Sequence, residues 1–343
     1  MLRKDMHSFK SEDIRPNHFT RKDLTKPMEN FIYSINATIP VFLVMVIGYL
    51  LKKIDMLDDH FAAKANKFNF RITLPCLLFT DIAATDMRSN FDLKFVLFCA
   101  IVTSICFWGI WGASKFFVKD DSIRGAFVQA SFRGSAAVFG IAFIVNIYGN
   151  SGMAPLMIIG AVPLYNIYSV IVLSFEAQDP DSHNHTYKNA IKNICTNPIL
   201  LAILIASIWS LTGWYTHMPV IVTKTIDSFA KMASPLALVC IGVTFKGSSA
   251  MAKIKPTLVA TALKLLIQPA IFLPIAISMG FTKEKLIALL IMLGSPTTPS
   301  CYIMAKNMHN DGVLTSSVVM LTTLASAITL TLWIFIIKSL GYL

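Results

Sequence analysis

Arg133, Gly134 and Ser135 stand together in FRGSAAVFGIA, residues 132–142, and Gly294, Ser295, Pro296, Thr297, Thr298 and Ser300 in LGSPTTPSCYI, residues 293–303. Both stretches interrupt apolar runs long enough to cross a bilayer. Pro296 and Pro299 each remove a backbone donor and clash with the preceding turn, and in lipid every backbone polar group needs a partner. Such a break is tolerable only beside protein or a watery cavity. Arg133 lies eleven residues beyond Ser122, roughly 16 Å into its span at about 1.5 Å per residue, too deep to snorkel easily. Its planar fork matches both oxygens of a carboxylate, and half-helix N-termini beside it would add positive dipole ends. These nine residues are the candidate site for a small organic anion. The alternative for Arg133 is structural, tying its span to broken-helix carbonyls.

The elements that must position this site are membrane spans. The chain of 343 residues is 55% hydrophobic and 14% charged. Its apolar windows give ten spans, near 31–51, 62–84, 94–117, 122–147, 153–175, 198–213, 219–245, 256–279, 284–307 and 313–340. A shift of 160 residues lays Lys64 on Lys224, Pro75 on Pro235, Leu78 on Leu238, Gly134-Ser135 on Gly294-Ser295, Asn150 on Asn310 and Gly152 on Gly312. One constant offset at turn-forming residues points to duplication. Five spans per copy is odd, so the second copy enters from the opposite side. The expected fold is an all-α polytopic membrane protein, a 5+5 inverted repeat with broken, crossing helices 4 and 9. Its parts are a disordered polar tail over 1–27, a first repeat over 28–175, a cytoplasmic connecting loop over 176–197 and a second repeat over 198–343.

A net charge of +11 raises nucleic acid as a partner, but the basic residues sit mostly in short connections, where they set orientation instead. With the N-terminus outside, inward connections hold thirteen Lys and Arg and outward ones five, which favours that orientation in the plasma membrane. The six cysteines form no CxxC pair, and the seven histidines lie in the tail, loops or span ends. No HExxH or GxSxG occurs, so neither an enzyme, a metal site nor a cofactor is expected. Among charges inside spans, Lys224 and Lys264 are read as snorkelling, Asp227 and Lys231 as an ion pair four apart, and Arg71 carries no assignment. Only Asp81 and Asp227 among the nineteen acids fall in or near a span, both away from the crossover. That disfavours a sodium site and leaves these two as proton carriers if transport is coupled.

The first span, IPVFLVMVIGYLLKKIDMLDD, together with FNFRITLPCLLF and SPTTPSCYIMAKNMHNDGVLTSSVVMLTTLASAITLTLWIF, resembles the auxin efflux carrier family of permeases, within the superfamily of bile acid and arsenite transporters. The resemblance covers about residues 31–340. It implies a scaffold of spans one, two, six and seven, a mobile domain of the others, homodimers joined through the scaffold, and a substrate site at Gly134, Ser135, Gly294, Ser295 and Pro296. The chain departs from the family at Ser135, where asparagine is frequent, and at Ala142, where proline is. The function expected is secondary transport of a small organic anion by alternating access; the alternative is a sodium- or proton-coupled symporter of bile acid transporter type.

The charge asymmetry places Ser182 in the cytoplasm. In a cysteine-free background, Ser182→Cys is expected to resist an impermeant thiol reagent applied to sealed cells and to react after permeabilisation. Labelling from outside would reverse the orientation.

Overall fold

The computed structural model describes residues 39, 40, 42–83, 92–136, 144, 152–178 and 196–343. The polar tail, residues 179–195 of the connecting loop, and most of the fourth expected span beyond Ala136, Ala142 included, lie outside them. Among the described residues the regular structure is helical, with one isolated antiparallel bridge between Gly134 and Thr297.

Apolar runs form the helices and short polar residues start them. The helix α1 covers 42–53. Next come α2 (Asp59–Phe68) and α3 (Leu74–Ala83), joined without a break by a π-helical turn, Asn69–Thr73. They are followed by α4 (Leu93–Phe117), α5 (Asp121–Phe132), α6 (Ala154–Phe175) and α7 (Pro198–Thr212). The carboxylates of Asp58, Asp92 and Asp120 and the amide oxygen of Asn197 accept first-turn backbone N–H groups of α2, α4, α5 and α7. Gly213, at φ 72°, closes α7 in the left-handed conformation that glycine adopts without strain.

After α8 (Val220–Thr244) and the short α9 (Gly247–Ala252), α10 (Ile254–Ala262) and α11 (Gln268–Ser278) run together through a second π turn, Leu263–Ile267. The chain then forms α12 (Glu284–Gly294), α13 (Ser300–Asn307) and α14 (Gly312–Ser339). A π turn inserts one residue and frees a carbonyl. In the second turn, Leu265 O accepts from Trp333 Nε1 at 3.0 Å.

Five helical segments among the described residues are long and apolar enough to cross a membrane: Leu93–Phe117, Ala154–Phe175, Val220–Thr244, Ile254–Ser278 and Gly312–Ser339. Pro198–Thr212 is apolar but shorter. Where the ninth span was expected, α12 and α13 are separated by residues 295–299, and where the fourth was expected, α5 stops at Phe132.

Packing around these stops is dense. Helix α3 packs on α7 and α8, α4 on α5 and α6, and α14 on α5, α10, α12 and α13. α12 contributes an unbroken buried run from Leu286 to Gly294. Helices α1 and α8 approach closely enough that a Cβ on Gly48 would fall 2.5 Å from Val239 O. Small residues permit this contact, as they do between helices in lipid.

Candidate site at the paired helix ends

Helices α5 and α12 both stop inside the protein, and each leaves carbonyls in its last turn without intrahelical partners. The structure supplies donors one by one. Gln129 O accepts from the Arg133 amide at 3.2 Å, Ala130 O from Thr297 Oγ1 at 2.8 Å, and Ser131 O from Gln268 Nε2 at 2.6 Å. Phe132 O accepts from Lys264 Nζ at 3.5 Å. On α12, Ile291 O accepts from the Ser295 amide at 3.0 Å, and Met292 O from both Tyr165 Oη at 2.9 Å and Lys264 Nζ at 3.1 Å. Leu293 O accepts from Lys264 Nζ at 2.9 Å. The two extended segments then pair with each other, Gly134 bridging Thr297 and the Ser135 amide donating to Pro296 O at 2.8 Å.

Lys264 is a correction to the sequence reading. It was expected to snorkel; instead it is fully buried, its ammonium on carbonyls of both helix ends and 5.9 Å from the Tyr165 ring centroid. It stands ten residues into Ile254–Ser278, about 15 Å from its start. A cation at helix C-termini complements their partial negative charge. Lys264 and Gln268, four apart, share one helix face, and that spacing of two long polar residues in TALKLLIQPA was the available signal.

Arg133, the cap residue of α5, is 3% exposed. One terminal nitrogen donates to Asn166 Oδ1 at 2.6 Å and Ser300 Oγ at 3.0 Å, and the other to Ser169 Oγ at 3.3 Å and Met304 Sδ at 2.7 Å. Asn166 is oriented by its own amide, which donates to Val162 O at 2.9 Å. All four acceptors are neutral. Among the described residues no carboxylate lies within ion-pair distance of Arg133. Asn166 and Ser169, three apart on one face of an otherwise apolar helix, went unremarked in the sequence.

A cavity of about 40 Å³ opens beside the guanidinium, lined by Arg133, Gly134, Ser135, Thr298, Ser300, Tyr165, Asn166, Asp81 and Ser234 among others. Its size admits a few waters. Of the nine residues singled out from the sequence, Arg133, Gly134, Ser135, Thr298 and Ser300 line it. Gly294, Ser295, Pro296 and Thr297 do not; they are buried behind it. The sequence reading also put two positive helix ends here. The described residues contain one, the first turn of α13.

Asp81 is a second correction: expected away from the crossover, it forms part of this cavity's wall. The reason is packing, because α3 lies against α8 opposite the helix ends. Asp227 does pair with Lys231, at 2.5 Å on an exposed surface. Lys224 and Arg71 are exposed.

A larger cavity, about 480 Å³, is bounded by residues of α2, α8, α13 and α14, with Asn66, Thr244, Lys246, Tyr302, Lys306 and Asp311 in its wall. This is the volume of a small-molecule pocket. Its acids already have partners outside it, Asp59 with Lys52 at 2.6 Å and Asp311 with Lys253. The Lys52 ammonium bonded to Asp59 holds that carboxyl below the usual carboxylate range. Lys246 and Lys306 have no such ion-pair partner among the described residues and share the wall with the two acids. Tyr302 Oη, bonded to Thr244 Oγ1 at 2.8 Å and Asn66 Nδ2 at 3.3 Å, sits on the same short helix as Ser300.

A family model described as membrane transport protein matches residues 33–334. An uncharacterized transporter of Methanothermobacter thermautotrophicus is 21% identical over 309 residues, covering 88% of this chain and 98% of that protein. An uncharacterized transporter of Methanocaldococcus jannaschii is 18% identical over 305 residues, covering 87% and 97%.

The capping pattern has a direct consequence for stability. Thr297→Val keeps shape and backbone but strips Ala130 O of its donor, and is expected to destabilise the folded protein by about 1–3 kcal/mol. Thr297→Ser should retain most of that. Thermal unfolding in detergent reads the difference; a valine variant as stable as wild type would show that the carbonyl needs no cap.

Proposed function

The chain belongs to the membrane transport protein family, that of the auxin efflux carriers, and from that membership we propose a secondary transporter that moves a small organic anion, a carboxylate, by alternating access. The observation that carries this reading is Arg133: a buried guanidinium surrounded by neutral acceptors, beside a cavity. An intramembrane cation without a counter-ion is costly and marks a functional site. An anion entering there supplies a counter-charge and exchanges a neutral acceptor on each terminal nitrogen for one of its two oxygens. The larger cavity, with Lys246 and Lys306 free of ion-pair partners among the described residues, supports an approach path on that side.

In this reading α5 and its continuation, and α12 with α13, are the broken fourth and ninth spans of a ten-span inverted repeat crossing near the midplane. The 40 Å³ space between the crossover and α3 and α8 widens when the mobile part slides along the scaffold. The N-terminus is outside the plasma membrane, the Lys246 side faces the cytoplasm, and copies pair through the scaffold. An inside-negative potential drives a monovalent anion outward by about 2.3 kcal/mol per 100 mV, so export needs no coupled ion.

Proton coupling is the second reading, favoured by one observation, the position of Asp81 on the wall shared with Arg133. Asp227 instead pairs with Lys231 on an exposed surface and lines neither cavity described above.

Arg133→Ala is expected to weaken binding of transported carboxylates by about 1.5–3 kcal/mol, roughly 10 to 150-fold, with Arg133→Lys recovering part of the loss. Pro296→Ala should change exchange rate more than affinity. Calorimetry on monodisperse protein and counterflow in proteoliposomes read the two quantities. Unchanged affinity in a well-folded Arg133→Ala protein would assign Arg133 to structure.

A further inference from the structure

Lys264 does more than fill space between two helix ends. An ammonium has three N–H donors and no acceptor, and three backbone carbonyls face it: Leu293 O at 2.9 Å, Met292 O at 3.1 Å and Phe132 O at 3.5 Å. A neutral amine would aim its lone pair at one of these oxygens, so the arrangement selects the charged form. The carbonyls belong to the C-terminal ends of two helices, α5 and α12, whose dipoles add negative partial charge at one point.

A fourth oxygen is close by. Ser295 Oγ is completely buried and, among the described residues, has no hydrogen-bond partner, Lys264 included. It and Lys264 Nζ crowd the same spot, since a Cβ on Gly134 would lie 2.5 Å from the one and 2.9 Å from the other. Backbone carbonyls at helix C-terminal ends plus a hydroxyl are the ligands by which interrupted membrane helices hold a monovalent metal ion.

We propose that these oxygens form a latent monovalent-cation site and that the Lys264 ammonium is its permanent, covalently tethered occupant. The tether has two consequences. The cation cannot dissociate, so it contributes charge to the crossover without being carried across the membrane. Gly134 keeps the spot clear, because a side chain there would push aside the ammonium or the Ser295 hydroxyl. The inference stands on the oxygens around Nζ and does not depend on which solute is transported.

The test needs no substrate. Thermal unfolding of purified protein is followed in choline, sodium and potassium chloride at equal ionic strength, for wild type, Lys264→Ala and Lys264→Met. Wild type is expected to unfold at one temperature in all three salts. Lys264→Ala, which empties the cage, should unfold several degrees lower in choline and recover saturably as sodium or potassium is added. Lys264→Met, whose apolar tip blocks the space, should be destabilised and indifferent to the salt. A saturable sodium response in wild type would overturn the proposal, because its site would not be occupied. A folded Lys264→Ala protein without any alkali response would overturn it too. So would a Lys264→Ala protein that folds in none of the three salts, since a free ion would then be unable to replace the tethered one.

Discussion

Two helices that end inside a membrane protein must find donors for their last carbonyls, and nearly every feature of the crossover follows from how this chain does so. In lipid a carbonyl without a partner costs several kcal/mol, and of the eight in the last turns of α5 and α12 seven, Gln129 to Phe132 and Ile291 to Leu293, have the donors named above. Four side chains from elsewhere in the sequence, Thr297, Gln268, Tyr165 and Lys264, reach them. Beside those contacts the two extended segments pair with each other, and the Thr297 amide also donates to Thr322 Oγ1 at 3.0 Å. The bridge between Gly134 and Thr297 lies directly beside the capped carbonyls, and Arg133 leaves α5 in extended conformation next to it.

The two buried cations divide the electrostatic work. Lys264 answers the negative ends of two helices with backbone oxygens at 2.9–3.5 Å and is fully enclosed. Arg133, the residue after the last capped α5 carbonyl, sits among hydroxyl, amide and thioether groups, which satisfy N–H directions without cancelling its charge. The first cation is compensated by dipoles, and the second has no carboxylate partner among the described residues. Membership of a transporter family gives that uncompensated charge a use, because an anion can provide locally what no described carboxylate does.

How much of this was legible in the sequence depended on whether the signal lay in side chains or in backbone. Pro296, Pro299 and the glycines inside apolar runs marked where helices stop, and Arg133 stood out as a charge far from any span end. Lys264 was misplaced because its partners are carbonyls of residues 132, 292 and 293, and an orphaned carbonyl leaves no mark on the residue that carries it. Asp81 was placed too far away because the packing of α3 against α8 is a tertiary fact with no local pattern. Asn166 and Ser169 could have been found, being polar neighbours at helical spacing in an apolar span. Among the described residues five helical segments meet the length and hydropathy of a full span; the remaining expected spans are short, interrupted or partly outside those residues, where a window count cannot separate a crossing from a half-helix.

The central claim is that fixed positive charge at the crossover carries an anion with no ion travelling alongside it. The most direct measurement is the charge moved per molecule of labelled monocarboxylate in proteoliposomes clamped at set potentials, with sodium replaced by choline and pH equal on both sides. The account predicts one net negative charge per molecule, a flux that rises as the compartment of origin is made more negative, and no change when sodium is removed. Electroneutral flux, indifferent to potential and driven by a pH difference, would contradict it and move the mechanism to Asp81.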